Sequence, residues 1–237
     1  MNIAVSLKDI VMDYGGKPVF DGFSIDFIAE EIVCILGPSG CGKSTLLQAI
    51  SGFRQPHSGE LYVNGNPAVV FQKHSLFPWK TAAENVGIGL RLSGMSKHAA
   101  ISEAKESLLR VGLEDRADSY PGELSLGQQQ RVGIARAFSQ KSPVLLMDEP
   151  FGALDAQTRL RMQTLLLEIW GATKPTIIFV THDIDEALLL GDRVLVLKGV
   201  PARVCADLRV KATKPRRFSD LVTPELAELR QNIFEML

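Results

Sequence analysis

Residues Gly37-Pro38-Ser39-Gly40-Cys41-Gly42-Lys43-Ser44 fit the spacing G-x-x-x-x-G-K-[ST]. An unbroken apolar run, Ile32 to Leu36, precedes them, and Thr45 to Ser51 after them reads as a helix. A strand, a glycine-rich turn and a helix start in that order constrain the chain strongly. The glycines let backbone N–H groups turn inward around phosphate oxygens, and the helix N-terminus adds a favourable potential. The segment from Gly37 through Thr45 is therefore the expected nucleotide contact. Lys43 is placed for the β and γ phosphates, and the Ser44 hydroxyl for Mg²⁺.

Further short apolar runs recur along the chain at Val69 to Phe71, Val144 to Met147, Ile177 to Val180 and Val194 to Leu197. None alternates cleanly with polar residues, as expected of strands buried on both faces of a mostly parallel sheet. Helical stretches lie between them, so the fold class is α/β. The N-terminal part differs. Ile3 to Met12 and Val19 to Phe27 read as strands around a Tyr14-Gly15-Gly16 turn, and Glu60 to Val63 as another strand before Asn64-Gly65. An antiparallel β element is expected there.

Phe77 to Gln140 holds no strand candidate. Thr81-Ala82-Ala83-Glu84 has capping-box spacing, and Lys97 to Val111 carries apolar residues at helical intervals. This predicts an all-helical insertion over 77–140, within a catalytic core made of 1–76 and 141–237. Thr223-Pro224-Glu225 starts a last helix, and Lys211 to Arg217 reads as a basic, solvated tail.

Composition excludes several classes. The 237 residues carry 26 Lys plus Arg against 27 Asp plus Glu, a net charge of −1. That balance argues against a nucleic-acid partner, which calls for a basic excess. Three cysteines, Cys34, Cys41 and Cys205, cannot form a disulfide framework. No stretch approaches the roughly 18 apolar residues of a membrane span, and no secretory leader is visible. A cytosolic chain is expected, one that can still reach a membrane through a partner.

Val144 to Met147 runs into Asp148 and Glu149. Asp148 suits the Mg²⁺ shell, and Glu149 is the candidate to polarise an attacking water. With the phosphate loop, this implies an NTPase of unspecified kind.

Leu124-Ser125-Leu126-Gly127-Gln128-Gln129-Gln130-Arg131 narrows the kind. It resembles the LSGGQ signature of ATP-binding-cassette (ABC) ATPases, and the resemblance then extends over most of the chain. Phe71-Gln72 is similar to the Q-loop, Ala153-Leu154-Asp155 to the D-loop, and Thr181-His182-Asp183 to the switch histidine. Tyr14 stands where the family has an aromatic residue that stacks on adenine. The resemblance implies one ABC nucleotide-binding domain that takes ATP and Mg²⁺ and works as a head-to-tail homodimer. In that dimer Ser125, Gly127 and Gln128 of one copy close over the γ-phosphate of the other. It further implies that Gln72 senses Mg²⁺ and γ-phosphate, His182 contacts the γ-phosphate, and Asp155 acts across the dimer. Leu126 stands where the signature usually has Gly; activity is expected to survive, because Ser125 and Gly127 are retained.

Phe77-Pro78-Trp79-Lys80-Thr81 with Glu84-Asn85-Val86 is similar to the ATPases of nitrate, sulfonate and taurine importers. That implies an ATP-hydrolysing import subunit on the cytoplasmic face of the inner membrane. Its partners would be transmembrane permease subunits and, indirectly, a solute-binding protein. Trp79 and Phe77 would line the permease groove or pack in the core. The competing readings are a soluble non-transport ABC ATPase, an unrelated P-loop kinase or GTPase, and a nucleotide-binding regulator without turnover. No Asn-Lys-x-Asp guanine motif is present, and Glu149 argues against the regulator.

Overall fold

The computed structural model of the chain describes residues 2–71 and 76–237. Gln72 and His74 lie outside the described residues. The chain divides into two compact units. The first comprises 1–67, 143–148 and 173–237; the second comprises 68–142 and 149–172.

The first unit opens with an antiparallel sheet. Strands β1 (Ile3–Tyr14), β2 (Lys17–Ile28) and β4 (Ser58–Val63) lie in the order β2-β1-β4. The turn between β1 and β2 is Gly15-Gly16, both at positive φ. A second sheet gathers β6 (Val144–Asp148), β7 (Thr176–Val180), β3 (Ile32–Leu36), β8 (Arg193–Lys198) and β9 (Arg203–Arg209), in that order. The first four run parallel, and β9 is antiparallel to β8. All residues of β3 and β7 are buried, which explains their uniformly apolar sequences. Helix α1 (Lys43–Ile50) packs on β6 and β7, and α6 (Ile184–Leu190) on β3.

The region after β8 departs from the expected solvated tail. Arg203–Arg209 is an edge strand, tied to β8 by Arg193, whose Nε and Nη2 donate to the two Asp207 carboxylate oxygens, each at 2.6 Å. Arg216 is buried, 7 % exposed. Its guanidinium donates to the carbonyls of Leu188 (2.8 Å), Gly191 (2.6 Å), Val210 (3.2 Å) and Ala212 (2.6 Å). Lys214 Nζ donates to Asp192 Oδ2 at 2.7 Å, and the same oxygen accepts from the Ile32 N–H at 2.9 Å. Burial pulls the Lys214 ammonium below its ordinary pKa, and the Asp192 bond opposes that pull. Fixed carbonyls and one carboxylate give these cations partners that water would otherwise supply. Helix α7 (Pro224–Met236) closes the unit, burying Leu226 and Ile233 while Leu237 stays exposed.

The second unit holds the short strand β5 (Ala68–Val70) and helices α2 (Ala82–Leu92), α3 (Lys97–Arg110), α4 (Leu126–Ser139) and α5 (Ala156–Thr173). The expected capping box is present: the Thr81 hydroxyl accepts from the Glu84 N–H at 3.3 Å, and Glu84 Oε2 accepts from the Thr81 N–H at 3.2 Å. Beside it, Asn85 is fully buried. Its amide accepts from the Phe77 N–H at 2.7 Å and donates to the carbonyls of Phe77, Lys80 and Thr81 at 3.0–3.1 Å. One side chain thus holds the whole 77–81 turn. Replacing Asn85 with Ala removes the side-chain partner of the Phe77 N–H and the Lys80 carbonyl, while the Phe77 and Thr81 carbonyls keep the Lys80 and Asn85 N–H groups, so the chain should lose about 2–4 kcal/mol. In a thermal melt that is a fall of roughly 5–15 °C; a melt within about 1 °C of the parent would contradict the staple.

Candidate nucleotide site

The site of the first unit sits where parallel strands end together. Ile35 of β3 is level with Val180 of β7, and Val180 with Asp148 of β6. The next residues along each strand are therefore delivered to one edge: the Gly37 loop, Asp148 itself and Thr181-His182. Ligands of parallel α/β sheets bind outside this carboxyl end.

The loop is shaped by close approach. A Cβ on Gly37 would stand 2.3 Å from the Leu197 carbonyl oxygen, so no side chain fits there. Gly42, the residue before α1, has φ 102°, and a Cβ on it would meet Val19 Cγ1 at 2.9 Å. The Lys43 ammonium lies back over the loop, donating to Gly37 O at 2.6 Å and Pro38 O at 3.0 Å. Pro38, Ser39, Gly40 and Ser44 line the loop with Cys41 and Thr45, of which Ser39, Gly40 and Ser44 are exposed and Cys41 and Thr45 buried. Cys41 is packed under the loop, 2 % exposed.

Two neighbouring turns are pinned locally. Thr181 Oγ1 donates to Glu186 Oε2 at 2.6 Å and accepts from the Asp183 N–H at 3.1 Å. The Asp183 carboxylate caps α6 by accepting from the Glu186 N–H at 3.1 Å. His182 stands exposed between these fixed residues. The Thr181–Glu186 pair carries no family motif and was invisible in the sequence. Tyr14, 45 % exposed, ends β1, and its hydroxyl donates to Gln48 Oε1 of α1 at 2.9 Å.

Other residues singled out by sequence belong to the second unit. Glu149, the residue after Asp148, has φ 46°. A left-handed conformation is uncommon for a residue with a side chain, and such strain gathers at functional positions. Ser125 caps α4: its Oγ accepts from the Gln128 N–H at 3.3 Å, while Gln128 Oε1 accepts from the Ser125 N–H at 2.8 Å. The Gln128 side chain is thus committed to the cap. Leu126 is 64 % exposed and leaves this capping box intact. A Cβ on Gly127 would reach no atom nearer than 3.5 Å. Asp155 Oδ1 accepts from the Thr158 N–H at 3.0 Å, and bonding from Thr158 holds its carboxyl below the usual value. Phe77 is half-buried and packs its ring 5.6 Å from that of Trp79, which is 69 % exposed. Beside that turn a cleft of about 310 Å³ is lined by Lys80, by Glu84 and Ile88 of α2 and by Lys97 and Ile101 of α3, among others.

A family model described as "ABC transporter" matches residues 20–152. A taurine import ATP-binding protein of Rhizobium johnstonii is 44 % identical over 232 residues, covering 92 % of this chain and 88 % of that protein. An aliphatic sulfonates import ATP-binding protein of Pseudomonas fluorescens is 40 % identical, covering 100 % of this chain and 88 % of that protein. A solved ATP-binding cassette, dimeric in a post-hydrolysis state bound to ADP and Pi, is 32 % identical with a TM-score of 0.81. That match covers 88 % of this chain and 100 % of the cassette. Likeness on this scale, in sequence and in fold, makes this chain a member of the ABC transporter family and one of its ATP-hydrolysing subunits.

Proposed function

We propose that the chain is the ATPase subunit of an importer for a small solute of the nitrate, sulfonate or taurine type. The observation that carries the nucleotide chemistry is the Gly37–Ser44 loop, with Lys43 buried beside it and held by two loop carbonyls. Those two bonds orient the ammonium toward the loop, where it can also take phosphate oxygens. Backbone N–H groups of residues 40–45 supply the remaining donors at the start of α1.

The Ser44 hydroxyl and the Asp148 carboxylate are hard oxygen donors, the set that suits Mg²⁺. When bound, Mg²⁺ would neutralise developing charge on the β and γ phosphates. Gln72 completes that set in our reading. Tyr14 stacks on adenine. Glu149 accepts the proton of the attacking water, and His182 holds that water against the γ-phosphate. Ser125 and Gly127 of a second copy close the site from the other side, with Gln128 fixing their cap and Asp155 acting across the dimer. Residues 77–140 then form the signature-bearing helical subdomain, and 1–76 with 141–237 the catalytic core.

No helix among the described residues is long and apolar enough to cross a membrane. The chain would work from the cytoplasmic face of the inner membrane, held there by permease subunits that receive solute from a binding protein. The exposed Trp79 and the cleft beside it support a docking place for the permease. The similarity to import proteins supports the direction of transport.

The test is purification of the tagged full chain from detergent-solubilised membranes of its own source. A multi-span membrane protein should accompany it, and the complex in lipid vesicles should accumulate taurine or an alkanesulfonate only with ATP and the binding protein. An active ATPase that recovers soluble proteins alone would overturn the importer reading and leave the family assignment standing.

A further inference from the structure

Tyr14 is held from more than one direction. Its hydroxyl is tied to Gln48 at 2.9 Å. The Arg54 guanidinium carbon lies 3.6 Å from the ring centroid, so a planar cation covers one face. The same guanidinium donates through Nη2 to the Asp13 carbonyl oxygen at 2.6 Å. Arg54 therefore cannot slide off the ring without breaking a charge-assisted bond. Asp13 is itself fixed: its carboxylate accepts from the Gly16 N–H at 3.3 Å and lies 3.2 Å from His57 Nδ1.

We propose that Arg54 is a positioning residue for the nucleotide base: it fixes the Tyr14 ring in the plane on which adenine stacks. The inference rests on the reading of Tyr14 as the base platform. Two physical effects support it. An exposed tyrosine at a hairpin end would otherwise give up rotamer freedom when a base bound, weakening binding. A ring locked beforehand has already met that cost. The cation also draws on the π density from one face, which makes the opposite face a better partner for an electron-rich purine. Arg54 needs no contact with the nucleotide for either effect.

The experiment measures binding of ADP and of inorganic triphosphate, which has no base, to the full chain by calorimetry. ATP turnover is followed in parallel. The variants are Arg54→Ala, Tyr14→Ala and the double change, with Arg54→Gln replacing Arg54→Ala if that chain fails to fold. Arg54→Ala should weaken ADP about fivefold and raise KM for ATP by the same factor. It should leave kcat and triphosphate binding unchanged. In the Tyr14→Ala background it should change nothing further. An equal loss of triphosphate affinity, a loss of kcat alone, or multiplying losses in the double variant would overturn the role of Arg54. So would intact ADP binding in Arg54→Ala beside weakened binding in Tyr14→Ala. If Tyr14→Ala binds ADP as the parent does, the platform reading itself fails, and the inference with it.

Discussion

The Glu149→Gln chain should bind ATP as the parent does and hydrolyse it about 10²–10⁴ times more slowly. Glutamine keeps the shape of the side chain and removes its basicity. The strained backbone at Glu149, φ 46°, is unchanged by this substitution, so the fold should be preserved. Single-turnover kinetics with radiolabelled ATP measure the rate, and size-exclusion chromatography reads a second consequence. If ATP bridges two copies and hydrolysis releases them, the variant should accumulate as an ATP-dependent dimer. A turnover loss smaller than about tenfold would remove Glu149 from the role of general base.

The second large effect lies far from the chemistry in sequence. Arg216→Ala should cost about 3–5 kcal/mol, and the melting temperature should fall by roughly 6–20 °C. The guanidinium serves carbonyls of the α6 end and of the segment after β9, all of which lose a charged donor at once. Arg216→Lys should recover little of this loss, because an ammonium offers no planar fork for several carbonyls. A melting temperature within about 2 °C of the parent for Arg216→Ala would show that the carbonyls find other partners.

These two residues also mark what the sequence could and could not disclose. The phosphate loop, the carboxylate pair at the end of β6 and the Ser125 helix start are local devices. Each is a run of a few residues whose spacing follows from a turn, a strand end or a cap, so reading the chain in order recovers them. The same holds for β3 and β7, whose burial on both faces writes an unbroken apolar run. Arg203 to Arg217 obeys no such rule. Strand β9 alternates between exposed and half-buried residues at a sheet edge, and its arginines resemble those of a solvated segment. Lys214 pairs with a carboxylate, and Arg216 with two of its carbonyls, more than twenty residues earlier in the chain. Burial of that kind leaves no periodic signal.

The candidate site divides the same way. Tyr14 carried a family resemblance, but the cation over its ring comes from Arg54, forty residues on, and no motif links the two. Asn85 was part of a family-like Glu-Asn-Val run, with nothing in the run to announce that it would be buried as a backbone staple. The Thr181–Glu186 pair beside His182 likewise emerged only from the folded turn.

The capping box at Ser125 has a further electrostatic consequence. Its reciprocal partner is Gln128, whereas the box of α2 uses the carboxylate of Glu84. Both satisfy the same backbone donors, but only the glutamate also quenches the positive end of the helix dipole. Helices α1, α3, α4 and α5 carry no acidic side chain in their opening turns, while α2, α6 and α7 do. The two helix ends that our reading assigns to opposite sides of one phosphate are thus among those left unneutralised, and each keeps its full attraction for an anion.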